Sequence, residues 1–248
     1  MKTFISIQLI HFNSYNRPIM HNPAKKYTAF VFDLNGTMID DMHYHIQAWH
    51  RILNSLGANI SLERTKQECY GKNAELLERI FPCIYTNEEK DNMSFEKEKE
   101  YQQKFKPHLK FIEGYEPFLR TAHKQGIKTA IGSAAIVFNI DFVLDGLNIR
   151  HLIDTVVSAD DVNHSKPHPE TFLKCADALF VKPEDCLVFE DSPKGVEAAL
   201  HAGMDCMVIT TLHQKEEFLH FKNIIGFIEN YHDSQLTALL PETKPQGD

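Results

Sequence analysis

Hydrophobic residues occur along this chain in two patterns: short continuous runs, and longer stretches in which they recur every three or four positions. The continuous runs lie at residues 29–32, 127–133, 155–158, 187–190 and 206–210. Runs of this length are typical of strands that are buried on both faces of a sheet. Stretches with helical spacing alternate with the later runs, at residues 117–125, 138–144, 169–180 and 194–202. The alternation predicts an α/β fold with a doubly wound parallel sheet.

The segment from residue 41 to residue 111 has helical spacing and no recognisable strand. Its first helix carries apolar residues at positions 42, 46, 49, 53 and 56. Helix-starting residues follow at Ser61, Asn73 and Asn87, and the last of these opens a long charged helix. We therefore predict an all-helical cap inserted into the α/β core. The alternating charges at residues 96–100 are expected to form a solvated helix face.

The two patterns divide the chain into a core, a cap and two tails. The core takes residues 27–40 and 112–240, and the cap takes residues 41–111. Residues 1–26 begin with an apolar stretch that polar residues interrupt, and no small-residue cleavage site follows it, so a secretion signal is not favoured. Residues 1–26 and 241–248 are expected to be disordered tails.

Composition excludes several classes of partner. The 248 residues are 43% hydrophobic and 24% charged, as in globular proteins, and the formal net charge is -8. Such a chain has no basic surface for nucleic acid or for an anionic membrane, so neither is an expected partner. The five cysteines are widely spaced and form no Cys-x-x-Cys pair, which favours a reducing cytoplasm over a disulfide framework. We expect a monomer.

Polar side chains that could take part in catalysis or binding follow three of the apolar runs. Asp33 ends the first run, Ser133 the second, and Glu190 with Asp191 ends a later one, while Lys166 lies in a loop. Each residue has an ordinary structural explanation when it is taken alone, such as a turn, a cap or a surface charge. Ligands bind at the carboxyl ends of the strands in parallel sheets. Taken as an ordered set, these residues therefore predict one site for a phosphoryl group.

Four segments carry a resemblance to a known family. They are residues 32–40, residues 129–133, Ser165-Lys166-Pro167 and residues 186–195. In this order they resemble the motif set of the haloacid dehalogenase superfamily, from about Tyr27 to about Thr211. Within that superfamily the chain looks most like the branch of β-phosphoglucomutases and small-metabolite phosphatases. The resemblance implies a Rossmann-like core, a helical cap and a small phosphorylated substrate.

The resemblance also implies roles for the acidic residues. Asp33 would be the nucleophile that forms an aspartyl-phosphate. Mg²⁺ would be held by the Asp33 carboxylate, the main-chain carbonyl of Asn35 and Asp191. Glu190 would lie close by or act through water. Mg²⁺ prefers few carboxylates and keeps several waters, which fits this set.

Further residues would hold the phosphoryl oxygens. Lys166 would contact both the nucleophile and the phosphoryl group, and Thr37 and Ser133 would donate hydrogen bonds. Ala134 follows Ser133 and is included in the phosphate site. Phosphoryl transfer requires such fixed positive charge and hydrogen-bond donors around the equatorial oxygens.

Asn35 departs from the pattern of the family. Phosphatases and mutases of this type carry a second aspartate two residues after the nucleophile, where it protonates the leaving oxygen and later deprotonates the attacking hydroxyl. An amide cannot exchange a proton in this way, and general acid–base catalysis contributes about 10²- to 10⁴-fold. We therefore expect Asn35 to impair turnover. Two alternatives stay open, a turn residue with no catalytic effect and a laboratory variant.

The cap residues bear on the substrate. His45 lies where the β-phosphoglucomutase branch has a histidine near the active site. It is expected to hydrogen-bond the group at the acid–base position, to substitute for the missing acid, or to face solvent. Gly71 matches the substrate-specificity segment of the cap. Ala74 stands where an arginine would grip a second phosphate, and Lys72 offers only a point charge there. Ala135 likewise lacks the polar group that a mutase would use.

These residues leave four candidate functions. The first is a Mg²⁺-dependent phosphohydrolase of a small phosphorylated metabolite, plausibly a sugar phosphate. The second is a β-phosphoglucomutase-type isomerase, which Ala74 and Ala135 disfavour. The third is a catalytically silent binder of phosphorylated metabolites. Carbon–halogen hydrolysis ranks last, because the pair Glu190-Asp191 indicates a metal that such relatives do not use.

Overall fold

A computed structural model describes residues 25–241 of the chain. Six strands form a single sheet in the order β3-β2-β1-β4-β5-β6, and every neighbouring pair is parallel. The strands are β1 Ala29–Phe32, β2 Lys128–Gly132, β3 Thr155–Val157, β4 Cys186–Glu190, β5 Asp205–Ile209 and β6 Ile224–Ile228. The doubly wound parallel sheet that the sequence predicts is therefore confirmed.

Helices flank this sheet and fill the interval between its first two strands. Four helices lie in the insertion after β1, namely α1 Met42–Ser55, α2 Leu62–Glu68, α3 Asn73–Ile80 and α4 Asn87–Phe105. Four more alternate with the later strands, namely α5 Tyr115–Lys124, α6 Val137–Gly146, α7 Glu170–Leu179 and α8 Pro193–His201. Short 3₁₀ turns complete the connections.

The two faces of the sheet bury different kinds of side chain. Alternate residues of a strand point to opposite faces, so Phe30 and Phe32 of β1 lie on one face and Ala29 and Val31 on the other. The first face is aromatic, and the rings of Phe32 and Phe189 stack with centroids 4.7 Å apart. The second face is built from smaller side chains, which lets α7 and α8 approach closely. Both faces are fully covered, as an all-parallel sheet requires.

The helical insertion leaves and re-enters the core at neighbouring points. Ile39 and Phe111 form an isolated antiparallel bridge, and the Ile112 amide donates to the Met38 carbonyl at 2.9 Å. Within the insertion, α1 and α3 share a small buried core of four residues, Trp49, Leu53, Leu76 and Leu77. The bounds of its helices agree with the helix starts that the sequence predicts.

One expectation is wrong in detail, and one strand is absent from the sequence prediction. The charged run at residues 96–100 is not a uniformly solvated face, because Lys97 is 2% exposed and Glu98 is 3% exposed. The strand β6 has no counterpart in the sequence prediction, since Gly226 interrupts a short apolar run at the edge of the sheet.

The ends of the described segment bear on the predicted tails. Lys25 was assigned to the disordered N-terminal tail, but it pairs with Asp205 at 2.5 Å and lies next to Tyr27. The rest of that tail and residues 242–248 lie outside the described residues. No helix in the described part of the chain combines the length and the hydrophobicity needed to cross a membrane.

Candidate active site

The predicted site residues meet at the carboxyl ends of the strands. Register pairs Phe32 of β1 with Phe189 of β4, so the residues that follow them emerge side by side. They open into a cavity of about 630 Å³ between the sheet and the insertion. Nine predicted residues line it: Asp33, Asn35, His45, Gly71, Ser133, Ala134, Lys166, Glu190 and Asp191.

Lys166 joins two carboxylates at the centre of this cavity. Its Nζ donates to Asp33 Oδ1 at 2.6 Å and to Glu190 Oε1 at 2.7 Å. Burial alone would lower the pKa of Lys166, but the charges of Asp33 and Glu190 outweigh it and raise that pKa. Lys166 is therefore a fixed cation beside the candidate nucleophile.

Glu190 is tied into the fold by the rest of its carboxylate. Its Oε2 accepts hydrogen bonds from the backbone amides of Asp191 and Ser192, both at 2.8 Å, and from Ser192 Oγ at 3.0 Å. Gly195 makes this possible, because a Cβ there would lie 1.7 Å from Glu190 Oε1. Glu190 thus positions Lys166 and the turn that carries Asp191.

The negative charges of Asp33 and Asp191 are not fully balanced by neighbouring cations or hydrogen bonds. Burial is the main cause that raises the pKa of both groups, and the Glu190 charge adds to it in each case. Asp191 has no ion-pair partner among the described residues. Gly36 packs directly against it, since a Cβ there would lie 2.1 Å from Asp191 Oδ2.

The charge of the site fits a divalent cation. Asp33, Glu190 and Asp191 bring three buried carboxylates together, and Lys166 is the ammonium group that pairs with two of them. Buried carboxylates are stable only when cations or hydrogen bonds compensate them. Asp33 and Asp191 are oxygen ligands of the kind that hard divalent cations prefer, so the residues present suit such an ion.

The Asn35 side chain contacts residues of the insertion and does not contact Lys166, the lysine that pairs with the candidate nucleophile Asp33. Its Nδ2 donates to Asp41 Oδ2 at 2.6 Å and lies 3.2 Å from His45 Nε2. The turn that holds it is fixed by the Gly36 amide, which donates to Ile39 at 2.8 Å. Asp41 is fully buried and does not line the cavity.

A buried polar cluster contacts His45, and it is absent from the sequence prediction. Lys97 Nζ lies 2.7 Å from His45 Nδ1 and donates to Glu98 Oε1 at 2.8 Å. The His45 ring stacks on Tyr101 with centroids 3.8 Å apart. A signal was available, because residues 94, 97, 98, 101 and 105 form one helical stripe that ends in aromatic residues.

The structure separates the predicted phosphate-binding residues into two groups. Ser133 and Ala134 line the cavity, and Ser133 Oγ accepts a hydrogen bond from the Ala135 amide at 3.1 Å. Thr37 is fully buried and does not line the cavity, and its Oγ1 has no partner among the described residues. Thr37 therefore does not join Ser133 and Ala134 in the cavity wall, and its role in phosphate binding stays a prediction.

The cap segment at Gly71 contacts the core loop before Lys166. Gly71 has φ +72° and leaves room for Glu75, which accepts a hydrogen bond from Ser165 Oγ. Lys72 lies outside the cavity lining, and its Nζ donates to the Val162 carbonyl. The Lys72 amine therefore contacts the chain before Lys166 instead of presenting its charge to the cavity.

Several cavity residues were not singled out from the sequence. They include Lys66, Tyr70, Asn139, Lys194 and His213. They come from separate loops and helices, and no motif connects them. Only the fold shows that they share one wall.

Comparisons with known proteins agree with this geometry. The family described as "Haloacid dehalogenase-like hydrolase" matches residues 30–209. The chain is 30% identical over 193 residues to the fructose-1-phosphate phosphatase YqaB of Escherichia coli strain K12, covering 76% of this chain and 99% of that protein. It is 30% identical over 184 residues to the β-phosphoglucomutase of Bacillus subtilis strain 168, covering 71% and 80%.

Solved structures show the same likeness. The crystal structure of a β-phosphoglucomutase from Clostridium difficile superposes with a TM-score of 0.72 at 27% identity, covering 83% of this chain and 92% of that one. Phosphatases of this superfamily generally use a divalent metal, in keeping with the carboxylates described above. The chain belongs to the haloacid dehalogenase-like hydrolase family, as an enzyme of the phosphatase type.

Proposed function

We propose that the protein is a Mg²⁺-dependent phosphohydrolase that acts on a small phosphorylated metabolite through an aspartyl-phosphate on Asp33. The observation that carries this proposal is the contact between Asp33 and Lys166 at 2.6 Å, beside the uncompensated carboxylate of Asp191. A nucleophile, a fixed cation and an oxygen-ligand site are the parts that phosphoryl transfer requires.

Each residue has one task in the proposed reaction. The Asp33 carboxylate oxygen that does not bind Lys166 attacks phosphorus. Lys166 stabilises the charge of the equatorial oxygens. Ser133 and the main-chain amide of Ala134 hold the same oxygens. Asp33, Asp191 and the Asn35 carbonyl would hold Mg²⁺, which supplies charge neutralisation at the phosphoryl group. Water then hydrolyses the aspartyl-phosphate and regenerates Asp33.

Asn35 is expected to slow this cycle. The leaving oxygen needs a proton and the attacking water must lose one, and an amide does neither. In the structure the Asn35 amide is also committed to Asp41. The loss is bounded by the roughly 10²- to 10⁴-fold value of acid–base catalysis, less whatever another side chain supplies.

A sugar phosphate with a single phosphoryl group is the substrate class that we favour. The similarity to a fructose-1-phosphate phosphatase supports it. A mutase must hold a second phosphate, yet Ala74 offers no cation and the Lys72 amine is bound to the Val162 carbonyl. We therefore rank a β-phosphoglucomutase-type isomerase second, although relatives of that kind are among the similar proteins.

The test is phosphate release from a panel of sugar phosphates and other phosphoesters, measured with Mg²⁺ and with EDTA. We expect Mg²⁺-dependent release that Asp33→Asn abolishes, because the amide is not a nucleophile. Asp177→Asn removes an exposed carboxylate of α7 and serves as the matched control. Saturable binding without phosphate release would instead support a silent binder. Conversion of one sugar phosphate to its isomer would support the mutase.

A further inference from the structure

Two histidines lie on either side of Lys166 in the loop that leads into α7. His164 precedes Lys166, His168 follows it, and Glu170 is the first residue of α7. One ligand atom from each of His164, His168 and Glu170 lies within 4.8 Å of the other two. None of these three residues lines the cavity of the candidate active site.

We infer that His164, His168 and Glu170 form a binding site for a divalent transition-metal ion of the Zn²⁺ class. The site goes beyond the proposed phosphohydrolase function and does not depend on it, because it shares no side chain with the carboxylates around Asp33. Its ligands come from one short segment of chain, so they are brought together by the local turn.

The separation between His164 and Glu170 suits one shared ion. His164 Nδ1 lies 3.2 Å from Glu170 Oε2. A tetrahedral ion with bonds of about 2.1 Å places neighbouring ligand atoms roughly 3.4 Å apart. An ion can therefore replace the hydrogen between these two atoms with little movement of either side chain.

Backbone contacts hold the Glu170 carboxylate in place. Its Oε1 accepts from the Asn163 amide at 3.0 Å and pairs with Lys174 Nζ at 3.1 Å. Its Oε2 accepts from the His164 amide at 3.0 Å, which leaves a second lone pair on the side of the His164 ring. Hydrogen bonds of this kind favour the ionised form of a carboxylate. The oxygen that faces the histidines is thus charged and oriented, while Lys174 lies on the other oxygen.

The turn between the two histidines supplies the third ligand. The His168 amide donates to the Ser165 carbonyl at 3.0 Å and so closes this turn. It places the rings of His164 and His168 with their centroids 4.7 Å apart. His168 Nδ1 accepts a long hydrogen bond from the Glu170 amide at 3.3 Å, and a bond to a metal ion can take its place.

The ligand types determine the kind of ion. Imidazole is a preferred ligand of Zn²⁺, Cu²⁺ and Ni²⁺, whereas Mg²⁺ and Ca²⁺ prefer oxygen ligands. Three protein ligands leave at least one coordination position open to water, unlike the closed four-ligand sites that are purely structural. His164 and His168 are both exposed, so an ion can enter and leave from solvent. We therefore expect reversible Zn²⁺ binding in the presence of Mg²⁺.

Another histidine of the chain also pairs with a carboxylate but has no third ligand. His213 Nδ1 lies 2.9 Å from Glu217 Oε2. In the part of the chain that the structure describes, no further histidine, cysteine or acidic ligand atom joins this pair within 4.8 Å. His213 is thus a matched comparison for His164, because it differs by the missing third ligand.

Calorimetric titration with Zn²⁺ in excess Mg²⁺ tests the site, because Mg²⁺ occupies sites made of oxygen ligands alone. We expect His164→Ala and His168→Ala each to weaken Zn²⁺ binding about tenfold or more, since even the residues that support metal ligands contribute that much. Both histidines are exposed, so neither change disturbs the packing of the core. The control variant His213→Ala should retain the affinity of the wild type.

Hydrogen exchange locates the bound ion. A metal ion on His164, His168 and Glu170 ties together the ends of the segment that contains Lys166. Zn²⁺ should therefore slow amide exchange in residues 163–170 of the wild type, because local opening of that segment must break bonds to the metal. The double variant His164→Ala/His168→Ala should show no slowing in that segment.

Two results would overturn the site. One is a Zn²⁺ affinity that stays the same in His164→Ala and His168→Ala, which would mean an adventitious ion only, on other side chains. The other is slowed exchange that lies outside residues 163–170. Neither measurement uses phosphate release, so failure of the phosphohydrolase leaves the metal site standing, and failure of the metal site leaves the phosphohydrolase standing.

Discussion

The hydrogen bond from Asn35 to Asp41 shows how one side chain alters its neighbours. The amide donates to a fully buried carboxylate at 2.6 Å, and Tyr101 donates to the same Asp41 oxygen. A carboxylate at position 35 would instead face another carboxylate at that distance. Two such groups share one proton, because both cannot be ionised together at close range. Position 35 is thus suited to an amide when Asp41 is charged.

A carboxylate at position 35 should restore the missing proton carrier. We predict that Asn35→Asp raises the rate of phosphate release from phenyl phosphate about 100-fold, because the proton shared with Asp41 becomes available to the leaving oxygen. Single-turnover kinetics of the wild type and the variant measure the gain. Asn148→Asp is an exposed control. A gain no larger than in that control would show that position 35 does not reach the leaving oxygen.

At the scale of elements, continuous apolar runs located the strands that carry the site. Asp33, Ser133 and Asp191 follow strands buried on both faces, and the sequence signal of such strands is strong. The helix α4 was harder to interpret, because its buried stripe includes Lys97 and Glu98. A charged residue predicts exposure unless its partner is known, and these partners come from α1, α3 and α6. Only tertiary structure brings them together.

Glu98 joins α4 to two other helices, α3 and α6, and this makes stability depend on pH. Its carboxylate accepts from Asn73 at 2.6 Å and from Asn139 at 2.5 Å, in addition to Lys97. Burial alone would raise the pKa of Glu98, but the charges of Lys97 and His45 outweigh it and lower that pKa to about 2. A lowered pKa stabilises the folded state above the unfolded pKa, and the stabilisation is lost as pH falls toward the folded pKa.

We therefore predict that acidification from pH 5 to pH 2.5 removes on the order of 2 kcal/mol through Glu98. Urea unfolding at several pH values measures this change in the free energy of unfolding. Glu98→Gln should be less stable than the wild type at pH 5 and should flatten the pH dependence. Glu96→Gln is the exposed control on the same helix. Parallel curves for wild type and Glu98→Gln would contradict the prediction.

The whole molecule gathers negative charge at one edge of its sheet. The formal net charge is -8, and folding places Asp33, Glu190 and Asp191 together in the interior against one lysine. The sequence could indicate where these carboxylates meet because each one ends or follows a strand. It could not predict that Glu190 would be held by Ser192 and Lys166, since that depends on the turn geometry.

Mg²⁺ should stabilise the folded protein by relieving this repulsion. We predict that saturating Mg²⁺ raises Tm, and at a hundredfold excess over Kd the gain is about 2.7 kcal/mol. Thermal unfolding with Mg²⁺ and with EDTA measures the shift. Asp191→Asn should abolish most of the shift and should stabilise the protein without metal, whereas Asp177→Asn should retain the shift. A full shift in Asp191→Asn would place the cation elsewhere.

The adjacent exit and return of the helical insertion has a consequence for how such a protein can diversify. The Ile112 amide and the Met38 carbonyl are hydrogen-bonded, so the ends of the inserted segment are a few ångströms apart. A segment with that spacing is an exchangeable cassette, because a replacement of any length that closes the same gap leaves the strand order untouched. The strand edge that carries Asp33 and Asp191 is retained in such an exchange. The replacement must supply only the contacts that the insertion makes with this edge, such as the one between Asp41 and Asn35.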